Sequence, residues 1–132
     1  MHVDKWVEWI LPSDVAKDNY TIAVIDTGKT LEIHMLDDTP ADIEIIMIFH
    51  APIAYRVTDE ICTIKRQWDV LEHNEPSFIS GSTWFKIEAS SYIQEREGLS
   101  LIEKSQLTHF ALFSFDYLID VISATQPTII RK

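Results

Sequence analysis

Between Tyr20 and Phe49 the apolar residues recur at every second position, and a chain that alternates in this way buries one face of each extended segment and wets the other. Residues 20–25 read as a first strand, 30–35 as a second and 42–49 as a third. In the second, Leu31, Ile33 and Met35 point one way while Glu32 and His34 point the other. In the third, Ile43, Ile45, Met47 and Phe49 face a core, and Asp42 and Glu44 face water. The connection Asp26-Thr27-Gly28-Lys29 carries glycine at its third place, which suits a hairpin turn with one left-handed residue. Asp37-Asp38-Thr39-Pro40 separates the second strand from the third. Three consecutive antiparallel strands make a meander. Its open face and loop edges then carry Asp26, Glu32, Asp37, Asp38, Asp42 and Glu44.

The period changes after Thr58. Ile61, Ile64, Trp68 and Leu71 share one helical stripe, with Thr58 or Asp59 as cap and His73 in the last turn. Residues 84–88 form a short strand, and Ser91 followed by Gln94 predicts a capping box that opens a short helix stopped at Gly98. Residues 107–115 and 118–123 read as a closing hairpin, after which Pro127 ends the ordered chain. Val3, Trp6, Val7 and Ile10 have helical spacing, while Val3, Val7 and Trp9 fit one strand face. A helix ended before Pro12 is the favoured reading. The predicted fold is therefore α+β, a single domain over residues 1–132. It has one antiparallel sheet of about six strands: meander, helix, strand, short helix and C-terminal hairpin.

A chain of 132 residues with 46% hydrophobic side chains can bury about two-thirds of its surface without staples. Cys62 is the single cysteine, which excludes an internal disulfide and a cysteine-based zinc cluster. Charges sit in the first eight residues where a signal peptide needs its apolar core, and no apolar run reaches membrane-spanning length. A soluble, cytoplasmic protein is the expectation. Acidic residues outnumber basic ones by 21 to 11, and residues 1–60 hold 12 acidic side chains against 4 basic. Charge of this sign repels nucleic acid and anionic membrane and favours a basic partner. The plain alternative is that it keeps the domain soluble.

No phosphate loop, dinucleotide-binding glycine motif or nucleophile elbow is present, and no cofactor is expected. His50 and His109 stand within apolar strands. Meeting near Asp120 or Asp59, they would form an acid–base pair or a metal site, yet no two histidines have metal-type spacing. The structural alternative is that each completes a local hydrogen-bond network. Asp37, Asp38 and Asp42 lack the spacing and central glycine of a calcium loop. Trp84, after Gly81-Ser82-Thr83, is either a half-exposed anchor for a protein partner or a residue at the rim of the core.

Two stretches carry a resemblance. Tyr55-Arg56-Val57-Thr58-Asp59-Glu60 is one; the other runs from Trp84-Phe85-Lys86-Ile87-Glu88-Ala89-Ser90-Ser91-Tyr92-Ile93 through Thr108-His109-Phe110 to Tyr117-Leu118-Ile119-Asp120-Val121-Ile122-Ser123. Over residues 55–123 the chain resembles small bacterial proteins that look like the immunity or antitoxin partners encoded beside polymorphic toxins. The resemblance implies a non-catalytic inhibitor of a cognate toxin and carries over no catalytic residue. The acidic charge suits the same role, since many intracellular toxins have basic clefts. Asp26, Glu32, Asp37, Asp38, Asp42 and Glu44 are the expected contacts, with Glu72, Glu75 and Trp84 beside them. The rival readings are an oligomeric or structural subunit and a small enzyme built on His50 and His109.

Overall fold

The computed structural model describes residues 4–9, 20–37, 44–59, 84–95, 103–113 and 117–132. Their order is β1 (Lys5–Glu8), β2 (Tyr20–Asp26), β3 (Thr30–Asp37), β4 (Glu44–His50), β5 (Ala54–Asp59), β6 (Trp84–Glu88), α1 (Ser91–Glu95), a 3₁₀ turn (Lys104–Gln106), β7 (Thr108–Phe113), β8 (Tyr117–Ser123) and β9 (Thr128–Arg131). The strands form two antiparallel sheets, β1-β6-β7-β8-β5 and β2-β3-β4-β9. The protein is thus mostly β, and the predicted α+β class with one six-stranded sheet is overturned.

The meander forms as its alternation dictates. β2 pairs with β3 and β3 with β4, placing Ile33 opposite Val24 and Met47. Leu31, Ile33, Met35, Ile45, Met47 and Phe49 are all buried on one face. Gly28 turns the β2–β3 hairpin at φ 87°, its N–H donating to Asp26 Oδ1 at 2.8 Å. That face packs on Trp84, Phe110, Leu112, Ile119 and Val121 of the other sheet, so the core is a layer between two sheets. Phe49 and Phe110 meet across it with ring centroids 5.2 Å apart.

The five-stranded sheet is buried on its second face as well. Trp6, Phe85, Ile87, Ala111 and Leu118 cluster there, and Tyr92 and Ile93 of α1 pack on Ile122. This two-sided burial gives β6, β7 and β8 near-continuous apolar runs instead of alternation.

Several local expectations change with it. Residues 5–8 are strand rather than helix, because Trp6, paired opposite Ile87, gains burial beside Phe85 that a lone amphipathic turn would not supply. Thr58 and Asp59 end β5, paired with Leu118 and Tyr117, instead of capping a helix. The rest of that expected helix, residues 60–73, lies outside the described residues. Ordered chain continues past Pro127, which stands just before β9, where its missing N–H breaks no ladder. β9 adds to β4, and Ile129 joins the core. The cap of α1 is Ser90 rather than Ser91: Ser90 Oγ accepts the Ile93 N–H at 3.1 Å. Ser91 N–H and Oγ instead donate to the carboxylate of Asp4, which ties α1 to the β1 end of the sheet.

Replacing Phe49 or Phe110 by Ala is expected to cost about 3–5 kcal/mol each in urea denaturation. The double variant should fall short of the sum by about 0.5–1.5 kcal/mol, because the two rings touch. Strict additivity would contradict the face-to-face packing of the sheets.

Candidate functional site: a carboxylate–imidazole clasp on the open sheet face

Register decides what the four-stranded sheet shows to solvent. One row across its outer face runs Ile25, Glu32, Ile48 and Thr128, and the next runs Ala23, His34, Ile46 and Ile130, of which Ile46 is buried. Leu36 and Glu44 pair in the row beyond. Ile25, Leu36 and Ile130 on this face are 44%, 39% and 38% exposed. The charged groups sit among them.

His34 holds two carboxylates at once. Its Nδ1 lies 2.8 Å from Glu44 Oε1 and its Nε2 2.9 Å from Glu32 Oε1. Glu32 is two residues away on the same strand, and Glu44 is the diagonal neighbour on β4. The hydrogen bond to Glu44, then that to Glu32, raises the His34 pKa above its ordinary 6.5. A neutral imidazole has one N–H and can satisfy one of these carboxylates, whereas the imidazolium donates to both.

Among the residues singled out in the sequence, Glu32 and Glu44 are brought together here. Asp26 is exposed at the hairpin end, where its Oδ2 accepts the Tyr55 hydroxyl at 3.1 Å and raises the Tyr55 pKa. Asp37 closes β3, with its side chain outside the described set, and Asp38, Asp42, Glu72 and Glu75 lie outside the described residues altogether. Trp84 is 1% exposed and edge-on to Trp9 at 5.6 Å, so its indole belongs to the core and offers no surface anchor.

His50 and His109 do not meet. His50 is exposed on β4 and contacts Thr128 Oγ1 at 3.2 Å, while His109 is buried in the other sheet on the face turned away from it. A different set of partners surrounds His109. Its Nε2 lies 2.6 Å from Asp120 Oδ1, and its Nδ1 lies 2.6 Å from Ser90 Oγ. Arg56 Nε donates to Asp120 Oδ2 at 3.0 Å. The Arg56 guanidinium lies 4.1 Å from the Tyr92 ring centroid, and that ring stands edge-on to His109. The carboxylate can only accept, so Nε2 carries a proton, and Nδ1 shares a second hydrogen bond with the Ser90 hydroxyl.

Serine, histidine and carboxylate in this order have the connectivity of an acyl-transfer relay. Here His109 and Asp120 are 0% exposed and Ser90 5%, and the Ser90 oxygen already caps α1. The chain of bonds fastens α1 to β7 and β8 and satisfies the polar groups the sheet buries. The sequence signal for it was the lone polar residues His109 and Asp120 within apolar strands; Ser90 gave none beyond its place ahead of a helix.

Among the described residues no group of three His, Cys, Asp or Glu side chains is arranged to hold a metal ion, and no helix is long and apolar enough to cross a membrane. Comparison with family models, curated proteins and solved structures finds no match to this chain.

Two outcomes separate the buried network from the surface. Asp120→Asn is expected to cost about 3–5 kcal/mol, because it strips a buried imidazole and a guanidinium of their anion. Glu88→Gln, which loses only the exposed pair with Lys5, should cost less than about 1 kcal/mol. A pH series tests the clasp. With a raised folded-state pKa, the stability His34 contributes is complete below 6.5 and disappears as pH climbs through the folded-state midpoint. Wild type should therefore exceed His34→Gln by more at about pH 5.5 than at about pH 9 in urea unfolding. An equal margin at both would count against the two-carboxylate contact.

Proposed function

We propose that this chain is a non-catalytic acidic binding protein, an immunity protein that neutralises a cognate toxin in the cytoplasm by docking the toxin's basic surface on the open face of the four-stranded sheet. The observation that carries this reading is the setting of Glu32, His34 and Glu44 among the exposed side chains of Ile25, Leu36 and Ile130. Aliphatic side chains supply buried area on docking, and carboxylates choose the sign of the partner and speed its approach.

The net charge of −10 extends that preference over the whole molecule, and long-range attraction raises encounter rates by about 10 to 10³-fold at low salt. A standard footprint of about 800 Å² per partner would take about a tenth of the 7921 Å² surface. The resemblance of residues 55–123 to small bacterial proteins that look like immunity partners supports the class of partner. A second copy of the chain suits this face less well, since two bodies of the same strong charge repel.

Capture from the native host followed by mass spectrometry identifies the toxin, and stopped-flow mixing then measures association over a salt series. The rate constant should fall by about tenfold or more between low and high salt. Glu32→Gln with Glu44→Gln should slow association and leave the fold intact. A rate indifferent to both salt and these substitutions rules out docking through the acidic face.

A further inference from the structure

The clasp is half buried among the aliphatic side chains of Ala23, Ile25, Leu36, Ile46, Ile48 and Ile130, and its geometry gives it two charge states. With His34 protonated, three groups carry a net −1 and every N–H meets an oxygen. With His34 neutral, they carry −2, and a ring nitrogen lone pair faces a carboxylate oxygen at under 3 Å. That second state lacks one hydrogen-bond donor. A guanidinium or ammonium from outside can supply it.

Among the described residues, the groups around His34 leave the two glutamates in control. From β2 it faces Ala23, with Ile25 beside it; from β4 it faces Ile46, with Glu44 and Ile48 on the diagonals. Its own strand contributes Glu32 and Leu36, and Ile130 of β9 lies beyond Ile46. The nearest cation by register is Lys132, whose backbone pairs with that of Glu44 and whose side chain is exposed. The direction of the His34 shift is set by the hydrogen bonds to Glu44 and Glu32, against the smaller lowering effect of burial.

We infer that the toxin places an arginine or lysine against Glu32 and Glu44 in exchange for the His34 proton, so that docking releases a proton and strengthens as pH rises through the His34 titration. This deepens the proposed function and rests on it. The bound cation and the imidazolium are like charges competing for the same two carboxylates, so each disfavours the other. Below the titration the face holds its own cation and binds weakly. Above it, the face needs one from the partner.

An octa-arginine peptide at low salt is a sufficient probe. Nitrogen-15 spectra of the His34 ring, recorded over a pH series with and without the peptide, read the proton directly. Backbone amide shifts in the same samples report where the peptide sits. The inference requires amide shifts on β2, β3, β4 and β9 together with a fall in the His34 midpoint of about half a pH unit, a threefold change in proton affinity. His34→Gln should remove the pH dependence of peptide affinity. A peptide seated on that face with the His34 midpoint unmoved overturns the exchange and leaves the docking reading standing. Shifts elsewhere, or none, overturn the docking reading and the exchange with it.

Discussion

The apolar layer between the two sheets is the contact on which the rest of the molecule depends. Phe49 of one sheet against Phe110 of the other, framed by Leu31, Met47, Trp84 and Ile119, fixes which side of every strand is inside. Once that is set, the four-stranded sheet has one committed face and, among the described residues, a second face that is partly exposed, with Ile46 buried within it. The five-stranded sheet has no free face over its central strands, because Phe85, Ala111, Leu118 and Ile122 are buried on its far side. Chemistry directed outward is therefore available on one sheet and polar satisfaction is obligatory in the other.

The same two kinds of group, carboxylate and imidazole, show the difference. Asp120 with His109 lies in the dry sheet, and every hydrogen-bonding atom named there has a protein partner: Arg56 on one side, Ser90 and the α1 cap on the other. Losing any link strands a buried charge or donor, so the set acts as a fastener. Glu32, His34 and Glu44 lie at the water boundary, where solvent can replace a lost contact and a proton can come and go. Desolvation, rather than residue type, separates the fixed network from the responsive one.

Much of the meander was legible in the sequence because half-buried strands alternate. Leu31, Ile33, Met35, Ile45, Met47 and Phe49 lie inside as their spacing requires, Ile46 is buried on the opposite face against it, and Gly28 turns the first hairpin. The five-stranded sheet hid itself for the converse reason: Phe110-Ala111-Leu112 is buried on both faces and has no period to read. β1 and β9 are four residues each, too short for periodicity to outweigh other readings. Splitting the strands between two sheets was beyond the pattern, since alternation says that a strand has a wet face and not which neighbour shares it. Glu32 and Glu44 stood out as acidic surface, but their common hold on His34 is a diagonal relation that exists only once the β3–β4 register is known.

Neither sheet is a continuous piece of chain. β1, ahead of the whole meander, belongs with β6 in the five-stranded sheet, and β9, after all the other strands, belongs with β4 in the four-stranded one. Each layer is thus completed by a strand borrowed from the opposite end of the sequence. Neither layer can detach as an autonomous half. Disorder at either outer strand is felt in both, which favours melting as one cooperative body rather than sheet by sheet.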